Sequence, residues 1–252
     1  MKCCFWMVIA AALFVPLAAT AQTVDDVIAK NVQARGGLDK LHAIKTLRLT
    51  ARITEEDLRA TFVEDLKRED KIRRDFSIQG MTRIQAYDGH TAWRINPFGG
   101  RKDPELISAE DSKSLVDSAD IEGPLVDYKQ KGHTAELLGH DSVEGTDCYK
   151  IKLTLKSGDV RLYYLDADSF IEIKYESQTK VRGAIQYTET MLGDYEQVGG
   201  IYFPLAIESG PLGSEERTRF TVEKIELDVP LDDSLFSLPS TKSEVKPAAA
   251  SK

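Results

Sequence analysis

The run YKIKLTLKSGDVRLYYLDADSFIEIKYES, Tyr149–Ser177, holds three alternating stretches cut by two clusters of turn residues. Tyr149, Ile151, Leu153 and Leu155 are opposed by Lys150, Lys152, Thr154 and Lys156, while Ile171, Ile173 and Tyr175 are opposed by Glu172, Lys174 and Glu176. A period of two places successive side chains on opposite faces of a strand, so these stretches predict strands with one wet and one dry face. Ser157-Gly158-Asp159 and Asp166-Ala167-Asp168-Ser169 are reversal signals on either side of a third strand, Val160 to Leu165. Strands joined by links this short pair antiparallel.

The same grammar extends outward in both directions. LRLTARIT alternates Leu47, Leu49, Ala51 and Ile53 against Arg48, Thr50, Arg52 and Thr54, and KIELDV alternates Ile225, Leu227 and Val229. Further strands are predicted near 60–66, 71–78, 82–87, 91–95, 184–192 and 217–223, with turns at Asp88-Gly89 and Gly199-Gly200. A long antiparallel meander hides its dry face by closing, by stacking on a second sheet or by taking a helix onto it. The chain offers few helices, so curling around an interior is the economical solution.

Two helical segments stand out. TVDDVIAKNVQARGG spaces Val24, Val27, Ile28 and Val32 at helical intervals after Thr23, with Asp25 and Asp26 in the first turn and Gly36-Gly37 at the end. A short helical turn over about Leu38 to Ile44 follows. The meander is broken between Pro97 and about Gly139, where Ser108 and Asp111 form a start signal for a helix reaching about Ala119. After it, GPLVDYKQKG predicts a turn and a short helix.

The amino terminus predicts export. Lys2 precedes an apolar run from Cys3 to Ala19, and Ala19-Thr20-Ala21 before Gln22 is the small-x-small pattern of signal-peptide cleavage. An uncleaved anchor is the competing reading, opposed by Pro16 and the polar Thr20, Gln22 and Thr23. Cys3 and Cys4 lie before the apolar core and not at the cleavage point, so the mature chain is expected to be soluble, periplasmic and unlipidated. Without residues 1–21 the net charge is −9, one unit more negative than the whole chain's −8. That balance excludes a nucleic-acid partner, which needs clustered Lys and Arg. Cys148 is then the one remaining cysteine, with no internal disulfide and no neighbouring base in sequence. The segment STKSEVKPAAASK, 240–252, has almost no bulky apolar residue and is expected to be a disordered tail.

Signals for chemistry are absent. His42, His90, His133 and His140 are not spaced as metal ligands, and Asp166 and Asp168 lack the glycine and closing glutamate of a calcium loop. No nucleophile elbow, phosphate loop or dinucleotide fingerprint occurs. In YDGHTAWRINPFGG, Tyr87–Gly100, the Asp-Gly pair has a turn to make and His90 flanks it. The acidic runs Glu55-Glu56-Asp57 and Glu69-Asp70 fit solvated turns between strands. Neither a cofactor nor catalysis is expected, and the dry face itself becomes the candidate functional surface.

Five stretches taken in order carry a resemblance: ARGGLDKLHAIKTLR, AYDGHTAWRINPFGG, EGTDCYKIKLTLKSGDVRLYYLDADS, DYEQVGGIYFPLAIE and VPLDDSLFSLP. Together they span most of 24–239 and resemble the LolA/LolB-like family of periplasmic outer membrane lipoprotein-sorting carriers. The resemblance implies a mainly β fold, an unclosed antiparallel β-barrel covered by short α-helices, as a single domain over 22–239. It also implies a hydrophobic cavity for lipoprotein acyl chains, no enzyme activity and partners at the inner and outer membranes; the chain is expected to act as a monomer. If the dry face is that cavity, its expected lining is Leu49, Phe62, Phe76, Trp93, Ile151, Leu153, Ile173 and Tyr175. In KIRRDFSI the face of Ile72, Phe76 and Ile78 also carries Arg74, whose guanidinium needs a partner: lid backbone, a ligand ester, or an ion pair with Asp75 or Glu64. An envelope sensor or protein-interaction module on the same curved sheet is the alternative reading.

Overall fold

A computed structural model describes residues 22–55 and 58–239. The predicted signal peptide, the predicted tail and Glu56 and Asp57 of the acidic run therefore lie outside the described residues. α1 (Val24–Arg35) is closed at its start by a capping box: the Thr23 side chain accepts from the Asp26 amide and the Asp26 carboxylate accepts from the Thr23 amide. It ends at Gly36, whose φ of 132° suits glycine, and whose Cα lies so close to the Gly200 backbone that a side chain would clash. α2 (Leu38–Ala43) follows directly.

The strands are β1 (Thr46–Glu55), β2 (Leu58–Lys67), β3 (Lys71–Ile78), β4 (Met81–Tyr87), β5 (Ala92–Asn96), β6 (Arg101–Leu106), β7 (Thr134–Val143), β8 (Thr146–Thr154), β9 (Val160–Asp166), β10 (Glu172–Val181), β11 (Ala184–Val198), β12 (Ile201–Pro211) and β13 (Thr218–Leu227). All pairings are antiparallel and form one sheet of 13 strands in the order β6-β5-β4-β3-β2-β1-β13-β12-β11-β10-β9-β8-β7. The edge strands β6 and β7 do not pair with each other, so the barrel is unclosed. They are consecutive in sequence, and the segment between them crosses from edge to edge carrying α3 (Ala109–Asp117), capped by Ser108. Residues 123–132 form turns, not the short helix expected there.

Helices α1, α2 and α3 fill one end of the curled sheet. Leu41, Ile44, Leu47, Leu66, Ile72, Leu115 and Val126 form one buried cluster there. Val27 and Ile28 of α1 join Leu125, Tyr128, Ile151, Leu153, Tyr163 and Leu165 in a second. Asn31 ties α1 to the β9–β10 turn by donating from Nδ2 to the Phe170 carbonyl at 2.8 Å.

The convex face carries its own core. Ile84, Ala86, Trp93 and Ile95 are buried there beneath the carboxy-terminal segment, which runs back over β2 to β5. Trp93 donates from Nε1 to the Phe236 carbonyl at 2.6 Å, Arg73 donates to the Leu235 carbonyl, and Lys67 to the Leu231 carbonyl. This strap lets β2 to β5 bury both faces.

Cys148 is buried on the outer face beside Val143 and Tyr164. Burial pushes its thiol above the ordinary range. A disulfide-exchange reagent is expected to leave the folded protein of residues 22–252 unmodified and to titrate one thiol after unfolding in urea. Rapid labelling of the folded form would contradict this placement.

Candidate functional site

The concave face leaves two adjoining chambers. The first, of about 400 Å³, is lined by Leu49, Phe62, Glu64, Arg74, Phe76, Arg83, Gln85, Tyr175, Thr190, Ile207, Ser209, Phe220 and Val222. The second, of about 320 Å³, lies against α3 and shares Arg74, Tyr175, Thr190 and Ser209 with the first. It adds Ser114 and Asp117 of α3, Ser118 just past its end, and the inner residues Leu155, Asp159, Arg161, Ser177, Thr179, Gln186 and Thr188. Both fall in the size range of small-molecule sites. Two further depressions lie elsewhere: one between α1 and residues 125–130, and one between β4–β6 and α3 that meets the second chamber only at Asp117.

Register explains who faces in. Directly opposed residues share a face, and the pairs Phe62↔Phe76, Glu64↔Arg74, Arg74↔Gln85 and Phe76↔Arg83 carry the concave surface across β2, β3 and β4. Tyr163↔Tyr175 and Tyr175↔Thr190 carry it across β9, β10 and β11. The outer part of the first chamber is aromatic, with the Phe62 and Phe220 rings edge to face at 5.6 Å. The Arg83 guanidinium lies over the Phe76 ring at 5.2 Å, and desolvation lowers its pKa from the ordinary arginine value.

Of the nine residues expected to line a cavity, the structure brings five together in these chambers: Leu49, Phe62, Arg74, Phe76 and Tyr175. Arg74 lines the chamber and pairs through Nε with Glu64 Oε2 at 2.5 Å, one of the partners expected for it.

Four residues are placed elsewhere, each for a physical reason. Trp93 lies on the convex face, because its ladder partner Ala86 alternates with the cavity-lining Gln85; Arg94, opposite Gln85, is the concave residue of β5. Ile151 and Leu153 do face inward but are fully buried beneath α1 and Leu125. Ile173 is displaced by a bulge between Glu172 and Lys174. One extra residue inverts the alternation, so Tyr175 turns inward while Ile173 packs outside against Val143, Cys148 and Tyr164.

Several lining residues escaped the sequence reading. Phe220 and Val222 sit in β13, where the pairing jumps from Thr50↔Lys224 to Ala51↔Val222. That bulge sets 217–223 and KIELDV in opposite phase, which is why they read as two strands. Ile207 and Ser209 belong to β12, whose run is interrupted by Pro204. Arg161 was legible: it lies two residues before Tyr163 and opposite Leu153, on the inward face.

The remaining polar sequence features are turns. Asp166 accepts from the Ser169 amide at 2.6 Å, a hydrogen bond that holds its carboxyl below the usual range. Asp88 accepts from the His90 and Thr91 amides, and Glu69 and Asp70 adopt φ of 70° and 57° in the β2–β3 turn. Among the described residues no group of three His, Cys, Asp or Glu is placed to hold a metal.

Comparison with known structures follows this geometry. A LolA superfamily protein from Nitrosomonas europaea superposes with a TM-score of 0.57 at 14% identity, covering 85% of this chain and 97% of that one. A DUF1329 family protein from Desulfovibrio piger gives 0.58 at 14% identity, covering 86% and 98%. A domain assigned to outer membrane lipoprotein sorting from Vibrio parahaemolyticus gives 0.56 at 12% identity, covering 83% and 94%. At these identities the likeness is one of fold. Comparison with curated proteins gives no match. A family model with the description "-like: Uncharacterized protein" matches residues 100–242, more than half of the chain. The protein belongs to the family that this model defines, and its unclosed barrel shares the fold of these LolA-like structures.

Proposed function

We propose that this protein is a periplasmic carrier that holds lipoprotein acyl chains or similar lipids in its concave chambers and serves their sorting to the outer membrane. The observation that carries the reading is the space itself: helices plug one end of the half-barrel, yet about 400 Å³ beside Phe62, Phe76, Phe220 and Ile207 is left unfilled by protein. Burying an acyl chain there gains about 0.8 kcal/mol per methylene. Among the described residues no helix is long and apolar enough to cross a membrane.

On this reading residues 1–21 are a cleaved export signal and 22–239 form a single unlipidated domain. The protein acts as a monomer, meets transport partners at the two membranes and performs no catalysis. Of the lining, Leu49, Phe62, Phe76, Tyr175 and Arg74 are the residues in a position to touch cargo.

Native mass spectrometry of the protein purified from its own envelope tests this. The expected result is a mass excess that disappears on solvent delipidation, followed by saturable uptake of one fluorescent acyl probe per chain. Ser209→Trp, which fills the junction of the two chambers, is expected to weaken uptake about tenfold or more with unchanged circular dichroism. A bare-chain mass together with no probe uptake would overturn the carrier reading in favour of a protein-interaction module.

A further inference from the structure

The second chamber is not apolar, and its charges do not all cancel. Asp159 is neutralised by Lys113, whose Nζ lies 2.6 Å from Oδ1, and it also accepts the Lys180 amide. Asp117 accepts the Ser157 hydroxyl at 3.0 Å; burial raises its carboxyl above the usual range, and the charges of Arg161 and Lys113 act against that shift. Glu64 is committed to Arg74.

Arg161 has no such contact, and the Asp117 carboxylate of the same chamber acts on it only from beyond ion-pair distance. Among the described residues no carboxylate lies within ion-pair distance of its guanidinium; its one hydrogen bond goes to Tyr163 Oη at 3.3 Å, and the Tyr175 ring lies 5.9 Å away. Burial pushes the Tyr163 phenol up to about 12, so the oxygen that Arg161 touches is neutral. A guanidinium carries five N–H donors. Around it, Ser177, Thr179, Thr188 and Gln186 line the same chamber, and among the described residues none of their side chains makes a hydrogen bond. A half-buried cation ringed by uncommitted donors, opening onto an aromatic chamber, is complementary to an anion joined to an apolar tail.

Resting on the lipid-carrier part of the reading above, and narrowing its cargo from neutral lipoprotein acyl chains to the similar lipids, we infer that the cargo is an anionic amphiphile: its carboxylate or phosphate is held by Arg161 in the chamber under α3, and its tail lies among Phe62, Phe76 and Phe220. Guanidinium geometry matches both head groups with two parallel hydrogen bonds, whereas a neutral ester offers no charge. Arg161 is thus a specificity-determining residue, and the tail compartment supplies affinity common to all lipids.

Three probes of equal tail length decide the matter on delipidated protein of residues 22–252: myristate, methyl myristate and 1-myristoyl lysophosphatidate. Either anionic probe is expected to bind about tenfold or more tightly than the methyl ester, the size of one charge-assisted hydrogen bond. The tighter of the two names the head group. In Arg161→Gln the anionic probes are expected to fall to the ester's affinity while the ester itself is unaffected, with the melting profile showing that the variant is folded. Equal affinity of all three for the unaltered protein would overturn the head-group inference and leave lipid carriage intact. An anionic preference that survives in Arg161→Gln would overturn the assignment to Arg161. Binding of none of the three would remove the carrier reading and this inference with it.

Discussion

Trp93→Ala is expected to lower stability by about 3–5 kcal/mol, the cost of deleting a large buried aromatic that its surroundings cannot collapse to replace. Trp93 is completely buried with Ile84, Ala86 and Ile95, and its indole N–H is the hydrogen bond that fastens the strap at Phe236. Against a typical total of about 5–15 kcal/mol, such a loss shifts the urea midpoint far toward lower denaturant. Trp93→Phe keeps most of the ring and loses the bond, and is expected to cost about 1–2 kcal/mol. Because Trp93 lies on the opposite face from the chambers, acyl-probe uptake by the folded fraction is expected to be unchanged in both variants. Reduced uptake at full folding would place the indole in the cavity after all.

Asp75→Ala is expected to be about as damaging, also about 3–5 kcal/mol, for an electrostatic reason. Asp75 is 2% exposed and Arg73 4% exposed, joined in a two-pronged pair with Nε to Oδ1 at 2.8 Å and Nη2 to Oδ2 at 3.1 Å. Removing the carboxylate deprives the buried Arg73 guanidinium of its two-pronged counter-ion. Replacing both residues by apolar ones, Arg73→Met with Asp75→Leu, is expected to recover most of the loss, since the two buried charges are then removed together. Urea melts of the single and double variants give the comparison. A double variant no more stable than Asp75→Ala would show that Arg73 matters for its bond to Leu235 rather than for its charge.

The strands were largely legible because alternation is a local signal: β1, β3, β4, β8 and β9 fall where the period of two puts them. β6, β7 and β12 were not. β6 is an edge strand containing Pro104 and four charged residues, and it has no dry face for a pattern to report. β7 is exposed over most of its length apart from Val143. The candidate site was harder still, because alternation tells which residues share a face and not which face it is. Trp93 satisfied the pattern and lies on the convex side, since a strap from residues 229–236 turns that side into a second core. Ile173 satisfied it too, until one inserted residue reversed the phase. Ile151 and Leu153 face inward as expected, but tertiary packing of α1 decides that they meet a helix and not open space.

The pairing of β1 with β13 has a consequence for how the protein comes to exist. Leu47 is opposite Leu227, so the middle of the sheet is built from residues 180 positions apart in the chain. Until residues 218–227 are available, β1 presents a bare ladder edge and the strands before it form an arm with nothing to join. Such late, distant closure makes formation slow, in the range of about milliseconds to seconds, and leaves an aggregation-prone edge open meanwhile. A growing chain is therefore expected to gain protection of the β1 amides that face β13 only after residues 218–227 have emerged, so that the first strand to be made is among the last to be secured.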